Sequence, residues 1–196
     1  MATRFHLIRH GAYELLDEGL GGRGAYPLSD EGREQAARLA ESLASQPIAA
    51  VISSPVARAV ETATPIAVRL GLALQTDANF SEIDFAGWAG ARFDALQADA
   101  AWHAWNNFRS TASVPGGEAM LDVQSRAIMG LRRLANDFPG GSIVIVSHAD
   151  IIKAMLAHLL GSPLDLMRRM EIGAGSVSEI LLFEGDARIV RMNQQP

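Results

Sequence analysis

Three short segments of the chain place a histidine or a cation just after an apolar run. Arg9-His10-Gly11 follows Phe5 to Ile8, Ser53-Ser54-Pro55 with Arg58 follows Ala49 to Ile52, and Ser147-His148 follows Ser142 to Val146. A neutral imidazole is a competent nucleophile toward phosphorus, and guanidinium forks match the spacing of phosphate oxygens. Together the residues read as a phosphate pocket. Hydrolysis of a nearly dianionic phosphomonoester is among the slowest reactions in water, so a catalyst must supply both charge stabilisation and a better nucleophile. His10 suits attack, because the neighbouring charges of Arg9 and Arg58 favour its neutral form by like-charge repulsion. Arg9 and Arg58 would also grip phosphate oxygens, with help from the amides of a helix start. His148 would donate to the transferring phosphoryl group from the opposite side.

The leaving alkoxide needs a proton, a service worth roughly 10²–10⁴-fold in rate. Glu82, in Phe80-Ser81-Glu82-Ile83-Asp84-Phe85-Ala86-Gly87-Trp88, has apolar neighbours that would keep a carboxyl protonated, and Asp84 is the competing acid. Arg23, in the long Gly-rich loop from Gly11 to Tyr26, is a further candidate contact to substrate.

These residues meet only if the elements between them bring three strand ends together. The apolar runs are continuous, as strands buried on both faces require. Helical patterns separate them. Ser29 is placed to cap a helix with Ala36, Leu39, Ala40 and Leu43 on one face, and Leu121, Ile128, Leu131 and Ala135 mark another. Ser54-Pro55 reads as an N-cap followed by proline at the first helical position, starting a helix toward Leu70 and Gly71 that Pro65 should bend or restart. Val177 to Phe183 and Arg188 to Met192 flank Gly185-Asp186, which predicts an antiparallel hairpin. Strand-helix alternation of this kind predicts an α/β fold, a mostly parallel sheet with helices on both faces and an antiparallel edge strand. In such sheets ligands bind beyond the carboxyl ends of the strands.

The chain has 196 residues, 48% of them hydrophobic, which fits one domain spanning residues 1–196. Seventeen Lys and Arg against 22 Asp and Glu give a formal charge of −5, so no general attraction to nucleic acid or an anionic membrane is expected. There is no cysteine, which excludes disulfides, thiolate metal sites and cysteine nucleophiles. With no signal-peptide pattern and no membrane-length apolar run, a cytoplasmic location is the expectation. His6, His103 and His158 lack acidic or cysteine partners at metal-ligand spacing and read as structural or exposed, so no metal is expected. Arg126, Arg132 and Arg133 fit the solvated face of a helix. Trp102, Trp105 and Phe108 recur at nearly helical spacing after Phe93 and Leu96, which suggests packing. Edge strands and exposed aromatics would suffice for a homodimer, and nothing demands one.

Taken in order, the motifs resemble the histidine phosphatase superfamily, also called phosphoglycerate-mutase-like, over nearly the whole chain. Arg9-His10-Gly11 is followed by Pro27-Leu28-Ser29-Asp30-Glu31-Gly32 and then by Ser53-Ser54-Pro55 with Arg58-Ala59 and Glu61-Thr62-Ala63. Glu82 with Gly87-Trp88, Pro115-Gly116-Gly117-Glu118 and Ser147-His148 complete the series. The resemblance implies His10 as phosphoacceptor, Glu82 as proton donor, Arg9, Arg58 and His148 as the phosphate pocket, and no cofactor. It also implies that the segment around 91–114 forms a lid, which would let Trp102 and Trp105 touch substrate. Leu16 stands where the family often has Asn, Ala25 where it often has Asp, and Ala149-Asp150 where a glycine pair is common. The short segment favours a phosphoric monoester hydrolase for a small phosphorylated substrate, of broad-specificity or α-ribazole-phosphatase type. A cofactor-dependent phosphoglycerate mutase is the runner-up, and a non-catalytic phosphate-binding module the alternative from another class.

Overall fold

A computed structural model describes residues 1–196. Its strands are β1 (Thr3–Arg9), β2 (Ala50–Ser53), β3 (Leu74–Thr76), β4 (Ser142–Ser147), β5 (Val177–Leu182) and β6 (Ala187–Gln194). Its α-helices are α1 (Asp30–Leu43), α2 (Ala57–Leu70), α3 (Phe93–Leu96), α4 (Ala100–Asn107), α5 (Met120–Asp137) and α6 (Ala149–Leu160). The sheet runs β3-β2-β4-β1-β5-β6; β3, β2, β4 and β1 are mutually parallel, and β5 pairs antiparallel with β1 and with β6. This is the expected α/β architecture, with the hairpin at one edge.

Alternation along the central strands feeds two cores. Phe5 and Leu7 of β1 and Ile143 and Ile145 of β4 face a layer built on α5 and α6. Ile8, Val144 and Val146 face α1 and α2, meeting Leu39, Leu43, Ala63 and Ile66. Both faces of the central strands are therefore dry, which is why their sequences are almost continuously apolar, with His6 of β1 a buried exception.

Several local expectations need correction. The Ser29 cap stands, its side chain accepting from the Gly32 amide. Ser54-Pro55 does not open α2, however; the helix begins at Ala57 after Val56, whose amide donates to Ser54 Oγ at 3.2 Å. Pro65 lies inside α2 without ending it, and the helix stops at Gly71, whose φ of 66° suits a residue lacking Cβ. On α5 the buried face is Met120, Val123, Ala127, Ile128, Leu131 and Leu134, whereas Leu121 is exposed. Phe108, at the end of α4, is likewise exposed. Helix α6 and the short strand β3 went unforeseen.

A candidate phosphoryl-transfer site

Register sets the site. Arg9 of β1 lies opposite Ser147 of β4, and Ser53 of β2 opposite Val146, so the next residues, His10, His148 and Ser54, leave three adjacent strands at one end. The His10 amide donates to the Ser147 carbonyl at 3.0 Å and the Ser54 amide to the Val146 carbonyl at 2.8 Å, extending the ladder by one residue before the chains part. The two imidazole centroids end 5.1 Å apart.

Gly11 is required by a close approach. A Cβ there would lie 2.6 Å from the Gly32 carbonyl oxygen, and one on Gly32 would lie 2.1 Å from that of Ala12, so the loop after β1 touches the start of α1 backbone to backbone. Further bonds pin this loop. The Gly11 amide donates to Thr62 Oγ1 at 3.0 Å, the Ala12 amide to Gln35 Oε1 at 2.8 Å, and the Leu28 amide to Glu61 Oε2 at 3.0 Å.

The His10 ring is fixed in one tautomer. Nδ1 lies 2.8 Å from the Gly11 carbonyl oxygen, which can only accept, so Nδ1 carries the proton. Nε2 accepts from Arg58 Nε at 3.0 Å and therefore presents a lone pair. Burial, then the charges of Arg58 and Arg9, hold the His10 pKa well below the ordinary histidine value, so the ring is neutral at pH 7.

Arg58, on the first turn of α2 and 1% exposed, touches both histidines and Glu82. Its Nη2 donates to the Gly22 carbonyl at 2.8 Å and to His148 Nδ1 at 3.2 Å, and lies 3.5 Å from Glu82 Oε2. With Nδ1 of His148 accepting, its Nε2 donates to Ser54 Oγ at 2.8 Å. His148 is also held well below its ordinary pKa, by burial first and then by His10 and the two arginines. Arg58 Nη1 and Arg9 Nε are buried without an acceptor. A phosphate group, rich in acceptors, would satisfy donors of this kind.

Of the two candidate acids, Glu82 reaches His148. Its Oε2 is 3.5 Å from His148 Nδ1, and burial raises its pKa against the opposing pull of Arg58. Asp84 turns away and accepts from the Ala86 amide at 3.0 Å. Glu118 organises this segment, its Oε2 accepting from the Asp84 amide at 2.8 Å and from Arg23 Nη2 at 2.9 Å. Gly117 permits the approach, since a Cβ there would lie 2.2 Å from the Asp84 carbonyl oxygen.

Arg23 is brought to the rim, its Nε donating to the Glu82 carbonyl at 2.9 Å. Arg126 is not a solvated helix residue: it bonds Glu118 and donates to the Asn79 and Glu82 carbonyls at 2.7 and 3.3 Å. Trp102 and Trp105 belong to the core rather than to an open surface. Trp105 is fully buried, its ring edge-on to Phe85, and Trp102 packs on Trp88 and Phe93. Such placement leaves neither ring a face for substrate. His6 is buried against Ser142, while His103 and His158 are exposed. Sequence reasoning missed Tyr13, whose ring lies 5.5 Å from His10 with the Arg58 guanidinium 4.9 Å from its centroid, and Ser54, whose signal was a second serine at a strand end.

Residues 5–195 match the family model for the histidine phosphatase superfamily (branch 1). The chain is 33% identical over 196 residues to a bifunctional protein of Mycobacterium tuberculosis, covering 98% of this chain and 54% of that protein. It thus spans about half the length of the first curated relatives it matches. Against the glucosyl-3-phosphoglycerate phosphatase of M. tuberculosis it is 31% identical over 173 residues, 83% of this chain and 77% of the relative. The solved mycobacterial glucosyl-3-phosphoglycerate phosphatase superimposes with a TM-score of 0.89 at 27% identity, covering 98% of this chain and 99% of the other. The alpha-ribazole phosphatase of Shigella flexneri gives 0.88 at 26% identity, covering 98% and 96%.

Proposed function

The chain belongs to branch 1 of the histidine phosphatase superfamily, and from that premise we propose that it hydrolyses small phosphomonoesters through a phosphohistidine on His10. The observation that carries this reading is the lone pair of His10 Nε2, facing the Arg58 guanidinium, on a ring whose other nitrogen is tied to the Gly11 carbonyl. Relatives named as phosphatases support it.

In the first step Nε2 attacks phosphorus, the P–O ester bond breaks, and Glu82 gives its proton to the departing alkoxide. Arg58 must turn from the His10 lone pair to the phosphoryl oxygens, joined by Arg9. Ser54 Oγ can donate as well as accept, so His148 can take the tautomer that directs Nδ1–H at a phosphoryl oxygen. In the second step Glu82, now a carboxylate, takes a proton from water as the oxygen attacks phosphorus. The P–N bond breaks, releasing phosphate and restoring neutral His10. Placing donors where charge gathers in the transition state is the larger part of such catalysis. The segment around 91–114, with α3 and α4, would serve as a cover over the pocket within a single domain of residues 1–196.

The test is phosphate release from a panel of phosphomonoesters. The reading expects turnover that disappears in His10→Ala, and tight binding without turnover would instead favour a binding module. Formation of 2-phosphoglycerate from 3-phosphoglycerate primed with bisphosphoglycerate would replace hydrolase by mutase.

A further inference from the structure

Tyr13 is a buried residue that takes no part in the steps above. It pairs with Leu28 in an isolated bridge after β1 and is only 8% exposed. Its ring meets two members of the site. The His10 imidazole lies 5.5 Å away between centroids at 66° between planes, and the Arg58 guanidinium carbon lies 4.9 Å from the Tyr13 ring centroid. A Cβ on Gly21 would come 2.6 Å from the Tyr13 hydroxyl oxygen, so the tip of the side chain abuts the backbone next to Gly22, whose carbonyl takes Arg58 Nη2. Burial raises the Tyr13 pKa against the pull of Arg58, so the phenol keeps its proton at neutrality and offers its ring rather than a charge.

Arg58 needs such a neighbour. A buried guanidinium is costly unless something negative meets it, and Glu82, 3.5 Å away, is the one carboxylate within ion-pair distance. In the proposed first step that acid is neutral, because it holds the proton meant for the alkoxide. Before substrate arrives, Arg58 then has only uncharged acceptors, the lone pairs of His10 and His148 and the Gly22 carbonyl. The negative face of an aromatic ring attracts a cation without titrating, and does so more strongly where water is excluded.

We propose that Tyr13 is a positioning residue: its ring holds the Arg58 guanidinium in place while Glu82 is uncharged, so that the phosphate donors are set before the substrate's own charge arrives. The inference rests on the phosphatase reading above. Were Arg58 absent from that position about nine-tenths of the time, phosphate affinity would fall about tenfold, since only the competent fraction binds. An ionised Glu82 can hold Arg58 instead, so the ring matters most where the carboxylate is missing.

The experiment measures binding of inorganic phosphate by calorimetry in a cycle of Tyr13→Leu and Glu82→Gln, on the alkaline side of the Glu82 titration. Substitution removes the carboxylate without titrating His148, Arg9 and Asp150, which also act on it. Tyr13→Leu is expected to weaken binding about tenfold in Glu82→Gln protein and only about two- to threefold where the carboxylate remains. Tyr13→Phe, which keeps the ring, is expected to restore binding in both backgrounds. Phenylalanine analogues of rising ring fluorination at position 13 keep the shape and weaken the face, so binding in Glu82→Gln protein is expected to fall in step. That series decides the matter should Tyr13→Leu not fold. Equal weakening by Tyr13→Leu in both backgrounds, weakening in neither, or indifference to fluorination overturns the inference and leaves the phosphatase reading standing. Failure of the unmodified protein to release phosphate from any ester overturns both.

Discussion

Arg58 Nε stands 3.0 Å from His10 Nε2, in the direction from which the imidazole lone pair must meet phosphorus. One guanidinium thus guards the His10 lone pair, bridges it to His148 and Glu82, and holds an unused buried donor at Nη1. A lysine keeps the charge but loses the planar fork. Arg58→Lys is expected to lower kcat for p-nitrophenyl phosphate by about 10²-fold, the scale of losing one preorganised donor. Near-normal turnover would mean that charge alone suffices.

In the proposed mechanism Glu82 links pH to leaving group. His10 is neutral well below pH 6.5, so the nucleophile does not limit activity near neutrality. Glu82 must be protonated for the first step, and its burial-raised pKa moves the alkaline limb of kcat/KM above the ordinary value of 4.5. Glu82→Gln is expected to abolish that limb and to slow alkyl esters by about 10²–10⁴-fold while aryl esters, whose phenolates need little proton help, lose much less. Equal slowing of both would remove Glu82 from the donor role.

Glu118 and Arg126 act on this acid only through its backbone, by the bonds to the Asp84 amide and the Glu82 carbonyl. A positioning role predicts the same signature in weaker form. Glu118→Gln is expected to slow alkyl esters about tenfold with a smaller effect on aryl esters, since small misplacements of a reacting group are costly. A uniform loss across both ester types would indicate general disruption.

Most of the proposed reacting set is legible in the sequence because strand-end residues follow from pattern. Once β1, β4 and β2 are recognised as buried parallel strands, His10, His148 and the start of α2 with Arg58 must share one end of the sheet. The supporting residues depend on contacts between distant segments, which periodicity does not encode. Arg126 repeats at the polar positions of α5 and looks solvated until the Glu82 and Asn79 carbonyls fold onto it. Trp102 and Trp105 kept two readings open, because spacing shows which residues share a face but not what covers that face. Strand β3 has three residues, none buried, and so lacks the apolar run that reveals a strand. Helix α6 is apolar around most of its circumference, giving little contrast between faces.

Stability should carry a separate pH signature from His6, whose Nε2 bonds Ser142 Oγ at 3.0 Å. Burial, then Arg191 and Arg4, lower its pKa from 6.5 to about 4. Between those values the unfolded chain binds the proton that the folded chain refuses, so this contribution is complete above pH 6.5 and is lost as pH falls toward 4. The loss amounts to roughly 3 kcal/mol at about 1.4 kcal/mol per pKa unit. Denaturant unfolding of His6→Gln at a series of pH values is expected to show a shallower decline over this window. A slope identical to that of the unmodified protein would relocate the acid sensitivity to other groups.

The covalent step is the claim on which the functional account turns, and rapid-quench labelling addresses it directly. With a ³²P-labelled phosphomonoester, the protein is expected to hold label on His10 during turnover, in a bond labile to acid and stable to alkali, and His10→Ala is expected to hold none. Steady phosphate release with no trapped phosphoenzyme at any quench time, or label retained by His10→Ala, would contradict the account.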